Sequence, residues 1–206
     1  MKPMEIERRS FEIITHELGE RPLDPEFAPV IKRVIHTTAD FDYYDNLVFS
    51  VHAVMRLVNA LKSGCDVVTD TAMAQAGINK KMLARFGGQA YCFIGDEDVA
   101  EEAKRRGTTR SAVSMEKAAR LNKPLIFAIG NAPTALLSIC ELIHAGSLSP
   151  QMVIGVPVGF VNVVEATEEA IRNCPNYIIA RGRKGGSNVA AAIVNAALYQ
   201  LIEREG

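Results

Sequence analysis

An alternation constrains the fold of this chain more than any other feature. Short runs rich in β-branched and aromatic residues recur as LVFS (47–50), DVVTD (66–70), QAYCFIG (89–95), PLIFAIG (124–130), MVIGVPVG (152–159) and YIIARG (177–182). Between them lie longer stretches of helical spacing, several closing on a glycine such as Gly64 or Gly146. Glycine can take the left-handed backbone that ends a helix, because it has no Cβ to clash. The short runs are almost wholly apolar, as strands buried on both faces must be. This pattern predicts βα units: an α/β fold, a three-layer sandwich with a mainly parallel central sheet and helices on both faces. Two helices are expected before the first strand. MEIERRSFEIITHELG closes on Gly19, and DPEFAPVIKRVI opens with Asp24 as cap and Pro25 in the first turn. No repeat, linker or low-complexity stretch interrupts the pattern. Residues 1–206 therefore read as one domain, with the N-terminal helices (about 3–35) preceding the βα units.

Charge and cysteine usage exclude several classes. The formal net charge is −1, which argues against a nucleic-acid footprint spread over the whole surface. No apolar run reaches the roughly 18–20 residues that span a bilayer. The first residues, MKPMEIERRSFEII, are charged from the start and lack a signal-peptide apolar segment. A cytoplasmic protein without membrane attachment is the expectation. Cys65, Cys92, Cys140 and Cys174 form no CxxC pair and read as buried free thiols, with no protein-held metal expected.

In open parallel sheets, ligands bind beyond the carboxyl ends of the strands. Four segments there have suitable chemistry: DTAM (70–73), GNAPTA (130–135) with Asn131 and Thr134, PVGFVN (157–162), and RGRKGGSNV (181–189). The last places Arg181, Arg183 and Lys184 ahead of Gly185, Gly186 and Ser187, with Ser187 able to cap the final helix. Backbone N–H groups, a helix N-terminus and flanking cations together suit an anion. A solvated basic turn is the other reading. Neither GxxxxGK[ST] nor GxGxxG is present, so neither nucleotide fingerprint is met. In RRGTTRSAVS (105–114), Arg110 is a second candidate anion ligand, or a plain surface arginine. Several anion sites at one end of a sheet suggest a large polyanion. In VIKRVIHTTAD (30–40), Arg33 and His36 are three residues apart and share a helix face. A helix C-terminus favours a protonated imidazole, which makes His36 a candidate general acid. A lone histidine at a helix end is also an ordinary surface residue, and His16, His52 and His144 are read that way. No second ligand stands at metal spacing from His36, and no GxSxG elbow appears. Ser10, between Ile6 and Ile13, either bonds back to its own helix or contacts a ligand.

RRSFEII, VIKRVIHTTADFDY, VTDTAMAQAGI, GTTRSAVSME, IGNAPTALL, VIGVPVGFVNVVEATE and RGRKGGSNVAAAIVNAAL together resemble the precorrin-8 methylmutase family of cobalamin biosynthesis. They run in order over nearly the whole chain, and the departures, as in TAMAQAGI, are conservative. The resemblance implies an α/β homodimer that moves a methyl group from C11 to C12 of precorrin-8 or its cobalt complex. It implies His36 as the catalytic residue, with Ser10 and Arg33 on the substrate. Thr37 and Thr38 would orient the imidazole, or form a plain helix-end turn. Arg110, Asn131, Thr134 and the turn Arg183–Ser187 would receive the carboxylates of a polycarboxylate tetrapyrrole. Such a shift needs no redox cofactor, nucleotide or methyl donor, and any cobalt would arrive in the substrate. Handover to neighbouring pathway enzymes is a further expectation. Two alternatives stay open. One is a non-catalytic corrinoid-intermediate binding or handover protein. The other is a phosphate-ligand enzyme suggested by RGRKGGS. No DxHxxG segment supplies a lower axial ligand to a finished cobalamin.

Overall fold

The computed structural model describes residues 3–203. In chain order it runs α1 (Pro3–Leu18), α2 (Ala28–Thr38), α3 (Tyr43–Asn46), β1 (Leu47–Phe49), α4 (Ala53–Lys62), β2 (Asp66–Thr69), α5 (Ala72–Gly77), α6 (Lys80–Arg85) and β3 (Ala90–Tyr91). It continues with α7 (Glu97–Arg106), α8 (Arg110–Ala119), β4 (Leu125–Ile129), α9 (Pro133–His144), β5 (Met152–Gly155), α10 (Val163–Asn173), β6 (Tyr177–Ala180) and α11 (Ser187–Glu203). All the expected strands form, and they join one sheet in the order β1-β6-β5-β4-β2-β3. Every pairing is parallel except the edge pair β1–β6.

Side-chain alternation along the strands divides the core into two layers. On β4, Ile126 and Ala128 face a cluster shared with Val34 and Ile35 of α2, Leu57 of α4 and Ile193 of α11. Leu125, Phe127 and Ile129 face the opposite cluster, with Met115 of α8, Leu136 and Ile139 of α9 and Ala170 of α10. Helices therefore cover both faces, as the apolar runs require. From β2 the chain moves outward to β3 and then returns to place β4 on the other side of β2. The strand order thus reverses between β2 and β4, where such sheets open a crevice at their carboxyl ends.

The structure moves two expected boundaries. Helix α2 begins at Ala28, not at Asp24. A helix from Pro25 would require an N–H on Pro29 four residues later, and proline has none. Asp24 instead forms its own turn, its Oδ1 accepting from Glu26 N–H at 2.8 Å and its carbonyl from Ala28 N–H at 2.9 Å. The helix also runs on to Thr38, where Ala39 (φ 53°) ends it by donating its N–H to the Ile35 carbonyl. His36, Thr37 and Thr38 are therefore its last turn. The short helices α3 and α6 were not anticipated. The four cysteines are free; three are buried and Cys92 is half-buried. Among the described residues no helix is long and apolar enough to cross a membrane.

Candidate active site

At the switch between β2 and β4 stands Asp70, only 1% exposed. Its carboxylate accepts from the backbone N–H groups of Gly130 (2.9 Å), Asn131 (2.8 Å) and Ala132 (2.6 Å). Burial pushes its pKa up, and these amide donors pull it back. The place where an open sheet would offer backbone donors to a ligand anion is thus filled from within. GNAPTA keeps only side chains for a ligand: Asn131, exposed, and Thr134, half-buried in the first turn of α9.

Gly185 of RGRKGGS serves packing. A Cβ on Gly185 would stand 2.1 Å from the Val156 carbonyl oxygen, and one on Gly130 would stand 2.7 Å from Ser187 Cα. Gly186 donates its N–H to the Val156 carbonyl at 2.9 Å, so that donor is not free for an anion. Ser187 is the first residue of α11 and not its cap. Its hydroxyl is drawn instead to Thr71, with the two Oγ atoms 2.7 Å apart, while Thr71 caps α5 by accepting from Ala74 N–H. These contacts bind the loops after β2, β4, β5 and β6 into one rigid platform.

The cations of that turn divide. Arg181 is held by Glu168 at 2.9 Å. Lys184 spans Asp40 (2.7 Å) and Asp42 (2.6 Å), just beyond the end of α2. Its hydrogen bond holds the Asp40 carboxyl below the usual range, and Asp40 and Asp42 hold the ammonium above the usual lysine range. Lys184 therefore clasps the loop after His36 to the platform. Arg183 lies over the Phe160 ring, 5.7 Å from its centroid, and has no carboxylate partner among the described residues.

His36 is exposed on the last turn of α2. Its ring stacks on Phe11 of α1, with centroids 5.3 Å apart and planes 16° apart. Phe11 also carries the Arg33 guanidinium at 4.8 Å, and Tyr199 of α11 flanks that guanidinium at 4.9 Å. One aromatic ring thus joins the two residues that share the α2 face. Arg33 is 18% exposed and paired with Glu7 at 2.6 Å. Beside it, Phe11, Lys32, Arg33, Tyr199 and Gln200 line a groove of about 260 Å³. That volume suits a small substituent and not a large ring system. The hydroxyls of Thr37 and Thr38 donate to the Arg33 and Val34 carbonyls (2.9 and 2.8 Å), which is the helix-end role. Ser10 likewise donates to the Ile6 carbonyl at 3.0 Å. Arg110 is exposed on the first turn of α8, and among the described residues its side chain bonds to none of the other candidates. Among the described residues, no three His, Cys, Asp or Glu side chains are placed to hold a metal ion.

Sequence reasoning missed Phe11 and the Asp40/Asp42 pair, and it offered DTAM, which opens with Asp70, to a ligand where the structure gives that carboxylate to the chain's own amides. Phe11 stands at helical spacing from Ile14 and Leu18, and two carboxylates follow His36 closely. Only their partners, distant in sequence, gave them roles.

The family model for precorrin-8X methylmutase matches residues 5–200. The cobalt-precorrin-8 methylmutase of Salmonella typhimurium is 48% identical over 208 residues, covering 98% of this chain and 97% of that protein. The cobalt-precorrin-8 methylmutase of Priestia megaterium is 46% identical over 196 residues, covering 95% and 87%. The solved structure of a precorrin-8x methyl mutase from Thermus thermophilus superposes with a TM-score of 0.88 at 33% identity, covering 97% of this chain and 98% of that one. With fold, length and sequence in agreement, the chain belongs to the precorrin-8X methylmutase family.

Proposed function

We propose that this isomerase moves a methyl group from C11 to C12 of precorrin-8 or its cobalt complex, with His36 as the acid. The observation that carries the reading is the exposed His36 ring, seated on Phe11 beside the Lys184 clasp. In the shift the C11–CH₃ bond breaks as the C12–CH₃ bond forms, within one molecule. A protonated His36 donates to a ring nitrogen, drawing electron density from the π system, and recovers the proton after migration. Atoms and electrons balance without a redox cofactor, nucleotide or methyl donor. Such acid assistance is typically worth ~10²–10⁴-fold. Holding the ring in a reactive conformation supplies much of the rest.

Arg33, Arg110, Arg183 and Lys184 supply positive charge for a polycarboxylate ring. Arg33 must then exchange Glu7 for a substrate carboxylate, and Lys184 acts mainly through its clasp. Ser10, Asn131 and Thr134 offer neutral polar contacts. The exposed Ile6 (54%) and Ile13 (46%) on α1 support a homodimer in which a second protomer covers that helix. The cobalt-loaded ring is the substrate to try first, because relatives at 46–48% identity bear its name.

The test is the visible spectrum of the ring mixed with the protein, with the metal-free and the cobalt forms tried separately. A methylated C11 interrupts conjugation, and migration restores it, so absorption moves to the red. We expect the shift with the unaltered protein and a rate at least a hundredfold lower with His36→Ala. Binding of both forms without a shift would replace the enzyme with a carrier. Full single-turnover rate in His36→Ala would remove the acid role.

A further inference from the structure

The loop from β5 to α10 and the first turn of α10 leave four large apolar side chains in solvent: Val158 (46%), Phe160 (84%) and Val161 (77%) from the loop and Val164 (38%) from the helix. An apolar cluster of this kind, with its members close in sequence and rimmed by charge, marks a surface built to be covered. The loop is not loose. Gly159 donates its N–H to the Arg183 carbonyl at 3.2 Å, which fastens it to the turn after β6. Gly185 packs against Val156 and Pro157 from the other side. The apolar tips are therefore held outward by backbone contacts, at the carboxyl end of the sheet where Lys184 joins the platform to the His36 loop.

Charge narrows what covers them. Arg181 and Lys184 are neutralised by Glu168, Asp40 and Asp42. Arg183 has no carboxylate partner among the described residues and sits 5.7 Å from the Phe160 ring centroid. A flat apolar surface beside an unneutralised guanidinium fits a ligand with a flat apolar face and an acidic rim. We infer that Phe160 receives one face of the macrocycle while Arg183, at its edge, takes a peripheral carboxylate. The inference rests on the tetrapyrrole reading above and extends it to a residue outside the His36 cluster. Phe160 and Arg183 bind and orient the ring, and neither takes part in proton transfer.

The test uses two stable corrins in absorption titrations of the full chain. One is a metal-free corrin with free peripheral carboxylates, and the other is the same ring with amides in their place, so no axial ligand keeps Phe160 off its face. Phe160→Ala should weaken both by about tenfold to a hundredfold, the range for burying a phenylalanine side chain. Arg183→Gln should weaken the acid severalfold more than the amide. Val51→Ala is the control: Val51 is 73% exposed but follows antiparallel β1 and so lies at the amino end of the parallel strands, away from the Phe160 loop, and should change neither. Phe160 is too exposed for its truncation to unfold the chain, and a melting curve checks this. Unchanged binding of the acid by Phe160→Ala overturns the inference. So does a loss that sedimentation traces to a change in oligomeric state, which would make Phe160 a contact between copies. If the unaltered protein binds neither corrin, the tetrapyrrole reading fails and the inference falls with it.

Discussion

Asp40 and Asp70 show how far the same side chain can diverge with its surroundings. Asp40 is partly exposed and tied to Lys184, which lowers its pKa. A carboxyl depressed in the fold adds stability above its unfolded pKa near 4, and loses that contribution as pH falls through the lower folded value. Lys184, raised by its carboxylates, adds stability below its unfolded pKa near 10 and loses it only as pH rises through the higher folded value. The clasp should thus hold throughout the neutral range and open in acid. We expect Asp40→Asn to melt below the unaltered protein at pH 7, with the gap closing as pH falls below the ordinary carboxylate range. A gap that persisted undiminished in acid would show that the carboxylate charge is not what Lys184 needs. Asp70 has the opposite sign: burial raises its pKa, so its contribution declines as pH rises through that value. It is retained because each buried N–H it satisfies would otherwise cost about 1–3 kcal/mol. Phe11 was as visible in the sequence as Ile14 or Leu18. Its service to both His36 and Arg33 was not, because stacking depends on how α1 crosses α2.

Among the elements, the strands and most helices were legible because their apolar periods are local. The start of α2 was misplaced by a local conflict, an aspartate cap signal against a proline that cannot donate four residues later. The turn RGRKGGS was read for its charge, and Gly185 and Gly186 for donors to an anion. Its geometry is instead set by Gly185, which no Cβ could replace without meeting the Val156 oxygen. Gly185→Ala should push the β6–α11 turn off β5, displacing Arg183 and Lys184 together. We expect a loss of about 1–3 kcal/mol, the usual cost of overpacking. At roughly 2–4 °C per kcal/mol for a chain of this size, the melting temperature should fall by roughly 2–12 °C. Corrin binding should fall with it. A variant that melted and bound like the unaltered protein would show that the close approach is not needed.

For the whole molecule, the net charge of −1 rules out a strong long-range pull on a polyanionic ring. Attraction must come from local cations, of which Arg183 and Arg110 are exposed. Raising ionic strength from 0.1 to 1 M shortens the screening length from about 10 Å to about 3 Å. We expect KM to rise severalfold over that range with kcat nearly constant, since proton transfer from His36 is a contact event. Equal losses in both would place the salt effect on the chemical step instead.

The amino-acid sequence by itself determined the layers and the mainly parallel sheet. Period and apolar content act over neighbouring residues and survive without a partner. It also carried, through the family likeness, His36 as the residue to test. Which charges remain free was decided only by the tertiary structure. Arg181, Lys184 and Arg183 are alike in sequence, but Glu168, Asp40 and Asp42 neutralise the first two. Arg33 meets Glu7, and Asp70 fills the crevice at the strand reversal. Electrostatic pairing depends on distance in space between residues far apart in the chain, and no local pattern records it.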